Sequence, residues 1–166
     1  PCAEPEAARL APPGPRQLGM RLLLIDDDPR FRALLRHHVS CTWADADIVA
    51  HNPVVRGPLA AEFLGQGYDA VLLKHTWAGG NGWNWLKDLA ARPGFAPLLF
   101  LAPDDDPATL ETARDRGAFA ALGATKIDHE KLTSALRAAA LQQQAAISAW
   151  QGAPTARDSQ TFGGAY

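Results

Sequence analysis

The chain has 166 residues, a size that suits one domain with ragged ends. Hydrophobic residues make up 47%, enough for a proper core, and the net charge of −2 gives no global field towards DNA, RNA or an anionic membrane. No apolar stretch approaches the roughly 20 residues that span a bilayer, and the N-terminus lacks the basic-then-apolar pattern of a signal peptide.

Residues 1–19 are rich in Pro and Ala and read as a flexible leader. Residues 22–25 are a buried strand that ends in Asp26-Asp27-Asp28-Pro29. Asp28 caps the helix that follows, with Pro29 at its first position, where a missing N–H costs nothing. Phe31, Leu34, Leu35 and Val39 give that helix an apolar stripe near 3.6-residue spacing. Residues 47–50 are a weak strand, and residues 57–64 a short, poorly patterned helix. Residues 70–73 form a strong strand ending at Lys74. A glycine-rich loop leads from there to a helix over 82–91. The fourth strand covers 97–101. Asp106-Pro107 opens the next helix by the same cap-and-proline device, to Arg116. The fifth strand spans 119–122, and Asp128 caps a long helix from His129 to about Trp150. Residues 151–166 read as a linker. The start at Pro1 and the end at Tyr166 lead us to expect a piece of a longer protein.

Five strands alternating with five helices predict an α/β fold with a doubly wound parallel sheet and helices on both faces. Runs such as Leu22-Leu23-Leu24-Ile25 fit strands buried on both sides. In such sheets the functional crevice lies outside the carboxyl ends of the strands. Those ends bring Asp26, Asp27, Lys74, Ala102 and Ala124 together. Cys2 lies in the leader and Cys41 after the first helix, so no structural disulfide is expected and a cytoplasmic location fits.

The order and spacing of several motifs resemble the bacterial response-regulator receiver domain. They are Leu24-Ile25-Asp26-Asp27-Asp28-Pro29 with Arg32 and Leu35, Tyr68-Asp69-Ala70-Val71-Leu72-Leu73, Gly82, and Ala113 with Gly117-Ala118 and Leu122. The resemblance covers about 120 residues and implies a flavodoxin-like, receiver-like sheet of strand order 2-1-3-4-5. It also implies roles. The family's Mg²⁺-holding acidic pair maps to Asp26 and Asp27. Its phosphoacceptor aspartate maps to Lys74, its hydroxyl residue to Ala102, its aromatic switch residue to Ala121 and its lysine to Ala124. Lys126 is two residues beyond that last position. The chain thus resembles a degenerate receiver, or pseudo-receiver.

Phosphoryl transfer needs an in-line oxygen nucleophile and cations that stabilise spreading charge. Lys74 offers a cation and no nucleophile. We therefore expect Lys74 to pair with Asp26 or Asp27 in the space of Mg²⁺, no catalytic activity, no cofactor, and weak or absent Mg²⁺ binding. Asp104-Asp105-Asp106 is expected to be a solvated loop and cap.

Trp77, Trp83 and Trp85 surround the loop after Lys74. Two compatible readings follow: one tryptophan fills the vacated pocket while another half-covers it, and the group forms an aromatic contact surface. His37, His38, His51, His75 and His129 show no metal spacing, and no serine or threonine sits in a nucleophile motif. The resemblance implies an interaction face on the fourth helix, fifth strand and fifth helix, with Leu110, Arg114 and Leu136 as candidates and a homodimer as one use of it. Beyond Ala140 the last helix exceeds what a compact receiver needs, and reads as a signalling or dimerising element, or as a frayed end.

The expected function is a non-catalytic, phosphorylation-independent regulatory module that acts through a protein partner or an attached output domain, without nucleic acid or membrane. Thr161-Phe162-Gly163-Gly164-Ala165-Tyr166 resembles the lead-in to Ser/Thr kinase domains in receiver–kinase fusions. The alternative is a ligand sensor that binds a small molecule or nucleotide in the vacated crevice. A working phosphoacceptor at Asp26, Asp27 or Asp69 is a further reading.

Overall fold

The computed structural model describes residues 19–152. Cys2, the rest of the leader, the tail Thr161-Phe162-Gly163-Gly164-Ala165-Tyr166 and the side chain of Trp150 lie outside the described residues. The elements are β1 (Arg21–Ile25), α1 (Pro29–Ser40), β2 (Asp47–His51), α2 (Pro53–Arg56), β3 (Ala70–Lys74), β4 (Thr76–Trp77), β5 (Gly80–Asn81), α3 (Gly82–Ala90), β6 (Leu98–Ala102), α4 (Pro107–Asp115), β7 (Ala120–Gly123) and α5 (His129–Gly152). Five strands make one parallel sheet in the order β2-β1-β3-β6-β7, which is the predicted 2-1-3-4-5 order once the short hairpin β4–β5 is set aside.

The alternation of side chains along each strand divides the core into two layers. Leu22, Leu24, Leu72, Leu99 and Leu101 face α1 and α5, where Phe31, Leu35, Val39, Leu132, Leu136 and Ala139 meet them. Leu23, Ile25, Val71, Leu73, Leu98 and Phe100 face α3 and α4, against Leu86, Leu89 and Ala113. Both faces are covered, which is why the strands read as unbroken apolar runs.

The predicted caps form. Asp28 accepts from the Arg30 N–H at 2.9 Å, Asp106 from Ala108 at 3.4 Å and Asp128 from Lys131 at 3.1 Å. Leu34, predicted in the stripe of α1, is instead 44% exposed, because Phe31, Leu35 and Val39 already define the buried face.

The second helix differs most from expectation. No helix forms over residues 57–64; α2 is a four-residue turn just before them. Asn52 caps it by accepting from Val54 N–H, with Pro53 at its first position. Gly57, Gly65 and Gly67 all have positive φ, which breaks the chain away from helix. Arg92 holds the irregular segment instead. Its guanidinium donates to the carbonyls of Ala60 at 2.7 Å and Phe63 at 2.9 Å and pairs with Asp88 at 3.3 Å. Hydrogen bonds from charged donors contribute about 1.5–3 kcal/mol each when measured by deletion. Arg92→Ala is therefore expected to cost about 2 kcal/mol in urea unfolding and to speed amide exchange selectively in residues 60–65.

Cys41 is disulfide-bonded, which overturns the expectation of no structural disulfide. Among the described residues, no helix is long and apolar enough to cross a membrane.

Candidate functional site

The carboxyl ends of β1 and β3 bring Asp26, Asp27 and Lys74 together. Parallel pairing places Ile25 beside Leu73, so the next residues on each strand emerge side by side. Lys74 Nζ stands 3.4 Å from Asp26 Oδ1. Asp26 is only 5% exposed, and the Lys74 side chain 17%. The Lys74 ammonium also lies 4.7 Å above the Phe31 ring, a cation–π contact that partly replaces lost hydration.

The two acids have different jobs. Asp26 Oδ1 accepts the Asp27 N–H at 2.8 Å, while Asp26 Oδ2 is buried with no hydrogen bond among the described residues. Asp27 turns outward and accepts the Ala78 N–H at 3.0 Å, which ties the β4–β5 hairpin to the first strand end.

Burial pushes the Asp26 carboxyl up from 3.8 to about 6, with Lys74 and the Asp27 N–H pulling it back down. A raised acid favours the protonated folded state. Its contribution to stability is therefore full below 3.8 and lost as pH rises through about 6. Asp26→Asn removes this titration. Between about pH 5 and about pH 7 the stability difference should shift in the variant's favour by about 1 kcal/mol. Paired urea titrations of the two proteins at both pH values measure it, and the comparison cancels other titrating groups.

The other half of the crevice is closed by main-chain contacts. Ala102 is fully buried, and its carbonyl accepts the Ala124 N–H at 2.7 Å. Asp105 reaches across to the Gly123 N–H at 3.0 Å, and Thr125 Oγ1 donates to the Pro103 carbonyl at 2.7 Å. Asp104 accepts the Asp106 N–H at 3.0 Å. The acidic triplet is thus more than a solvated loop and cap, since Asp105 joins the loops after β6 and β7. Lys126 is exposed and makes no ion pair among the described residues. Asp69 lies at the opposite end of β3, where it accepts the Arg21 N–H at 2.8 Å. That removes it from the crevice and from the acceptor reading.

His75 is structural: its N–H and its Nδ1 both donate to the Leu101 carbonyl, at 2.9 and 3.0 Å. Trp77 is buried and meets Trp85 edge-on at 5.0 Å. Trp83 packs 4.4 Å from Phe100 beneath the Arg116 guanidinium. Two candidates for the contact surface are therefore corrected. Trp77 is turned inward by the hairpin, and Leu136 is fully buried because it follows Leu132 by one helical turn on the sheet side. Leu110 is half-buried against the α3–α4 layer, Trp83 and Trp85 are half-buried, and Arg114 is exposed. Ala121 and Ala124 are half-buried.

The bracing roles of Ala78, Asp105 and Thr125 leave no local signal in the sequence, and only the long-range bonds reveal them.

No protein-family model matches the chain, and no curated protein matches it. Solved structures do. The receiver domain of the Francisella response regulator 1452 aligns with a TM-score of 0.59 at 15% identity, over 74% of this chain and 97% of that one. A response regulator receiver domain protein from Clostridium thermocellum gives 0.60 at 16% identity, over 75% and 96%. The response regulator ChrA of a heme-sensing two-component system gives 0.54 at 24% identity, over 84% of this chain and 71% of that one. At these identities the likeness establishes the fold, which is that of a receiver domain.

Proposed function

We propose that this chain is a phosphorylation-independent, receiver-like regulatory module that works by protein–protein contact. The observation that carries the reading is Lys74 Nζ at 3.4 Å from Asp26 Oδ1, a cation standing at the strand end where receivers carry their acceptor carboxylate. Lys74 offsets one of the two acidic charges at the crevice and offers no oxygen nucleophile, so phosphoryl transfer has no acceptor at this strand end. The residues suit Mg²⁺ poorly, because one acid is engaged by an ammonium and the other by a main-chain N–H, while the hard cation wants several free oxygens.

The contact face is the surface of α4, β7 and α5. A groove of about 430 Å³ runs there over Ala121 and is lined by Arg114, Phe119, Glu130, Lys131, Ser134 and Ala135. The smallness of Ala121 leaves the floor of this groove open to a partner side chain. The partner is an output domain, a Ser/Thr kinase being one candidate, or a second copy. A second reading, a small ligand in the crevice, draws on the unsatisfied Asp26 Oδ2.

The test is treatment with acetyl phosphate or beryllofluoride plus Mg²⁺, read by intact mass and two-dimensional NMR. The reading expects no adduct and no shifts at Asp26, Asp27 and Lys74. A stoichiometric adduct overturns it.

A further inference from the structure

We propose that His38 and His129 form a two-imidazole chelate for a zinc-class divalent transition ion that bridges α1 and α5. His38 lies in the last turn of α1 and His129 is the first residue of α5, 91 positions later. The Nδ1 atoms of the two rings face one another at 3.4 Å, with ring centroids 5.6 Å apart and planes tilted by 35°.

The spacing fits chelation better than it fits a hydrogen bond. An N–H donor and its acceptor nitrogen prefer about 2.9–3.0 Å, so the direct contact is long and weak. A metal–imidazole bond is about 2.0–2.1 Å, and two such bonds across a 3.4 Å bite enclose an angle of about 110°. That is the tetrahedral angle, which zinc favours.

The surroundings keep the pair in place. Val39 and Leu132, next to or one turn from the two histidines, are buried in the same core layer. Both rings are half-buried, so little side-chain freedom remains to be lost on binding. Imidazole nitrogen suits zinc, copper(II) and nickel(II), whereas Mg²⁺ and Ca²⁺ prefer oxygen. A ligand imidazole must be neutral. Burial, followed by the neighbouring His129 and His37, holds the His38 pKa below its usual 6.5 and favours that form.

Among the described residues no group of three or more His, Cys, Asp or Glu is placed to hold a metal. The remaining coordination positions therefore belong to water, and binding is weaker than at a closed four-ligand site. A bound ion ties the C-terminal turn of α1 to the start of α5 and stabilises the fold by mass action.

The experiment is calorimetric titration of the full chain with zinc chloride at neutral pH, with NMR of the histidine ring carbons in the same samples. One equivalent should bind, the His38 and His129 resonances should move first, and the melting temperature should rise. Cobalt(II) in place of zinc should give visible d–d absorption of tetrahedral intensity. His38→Asn and His129→Asn should each weaken binding by at least about tenfold, since even outer-shell changes at metal sites cost that much. His37→Asn should leave it intact. Zinc affinity unchanged in both single variants, or ring shifts confined to other histidines in the unmodified protein, would overturn the proposal; the second readout needs no variant to fold.

Discussion

Lys74→Asp is expected to destabilise the domain by about 3 kcal/mol or more at neutral pH in metal-free buffer, because removing one partner of a buried ion pair leaves the other charge uncompensated. Here the substitution also adds a third carboxylate to Asp26 and Asp27. Asp26 Oδ2 is already buried without a partner, so the new charge has no donor to meet. Two conditions should restore stability. Acid should do so, since Asp26 titrates near 6 even beside Lys74 and is pushed higher without it. Millimolar Mg²⁺ should do so as well, since three carboxylates now offer oxygen ligands. The unmodified protein should show no stabilisation by Mg²⁺. Thermal melts with and without Mg²⁺ at two pH values decide the matter. An unmodified protein stabilised by Mg²⁺ as strongly as the variant would mean that Lys74 does not take the place of the ion.

Gly82→Ala is the second large effect, at about 3 kcal/mol or more. A Cβ at this position would strike the Lys74 carbonyl oxygen and lie 2.9 Å from the His75 backbone. These are main-chain atoms of a central strand end, which cannot yield as a side-chain tip can. The Gly82 N–H also donates to the His75 carbonyl at 2.8 Å, so the helix start has no freedom to back away. A fall in the urea midpoint with unchanged slope is the expected reading. A loss under about 1 kcal/mol would show slack between β3 and α3. Because the clash is with Lys74 itself, the variant should also alter the titration of Asp26.

Much of this was legible before any coordinates. The five apolar runs announced the sheet, and Asp28-Pro29 and Asp106-Pro107 announced two helix starts. The nearness of Lys74 to Asp26 followed from the strand order that the receiver resemblance implied. At α2 the sequence pattern misleads, since Asn52-Pro53 carries the same cap-and-proline signal, yet the expected helix over 57–64 starts four residues later, at Gly57. The hairpin β4–β5 hid inside a run read as a flexible loop. Its two strand residues per side fall below any periodic signal, and the turn depends on Gly79 at a φ of 73°. The bonds from Asp105 to Gly123 and from Thr125 to Pro103 span 18 and 22 positions and leave no local trace. Nor does burial of Asp26, which needs the whole fold to exclude water.

The bracing of the loops after β6 and β7 has an energetic meaning for recognition. Flexible loops lose conformational freedom when a partner docks, and that loss subtracts from affinity. Here three contacts, from Asp105, Thr125 and the Ala124 N–H, have already fixed both loops in the free protein. A partner meeting this edge finds a preformed surface and loses little affinity to ordering. Cutting the bracing with Thr125→Val would leave the surface chemistry nearly unchanged while making its assembly part of every encounter.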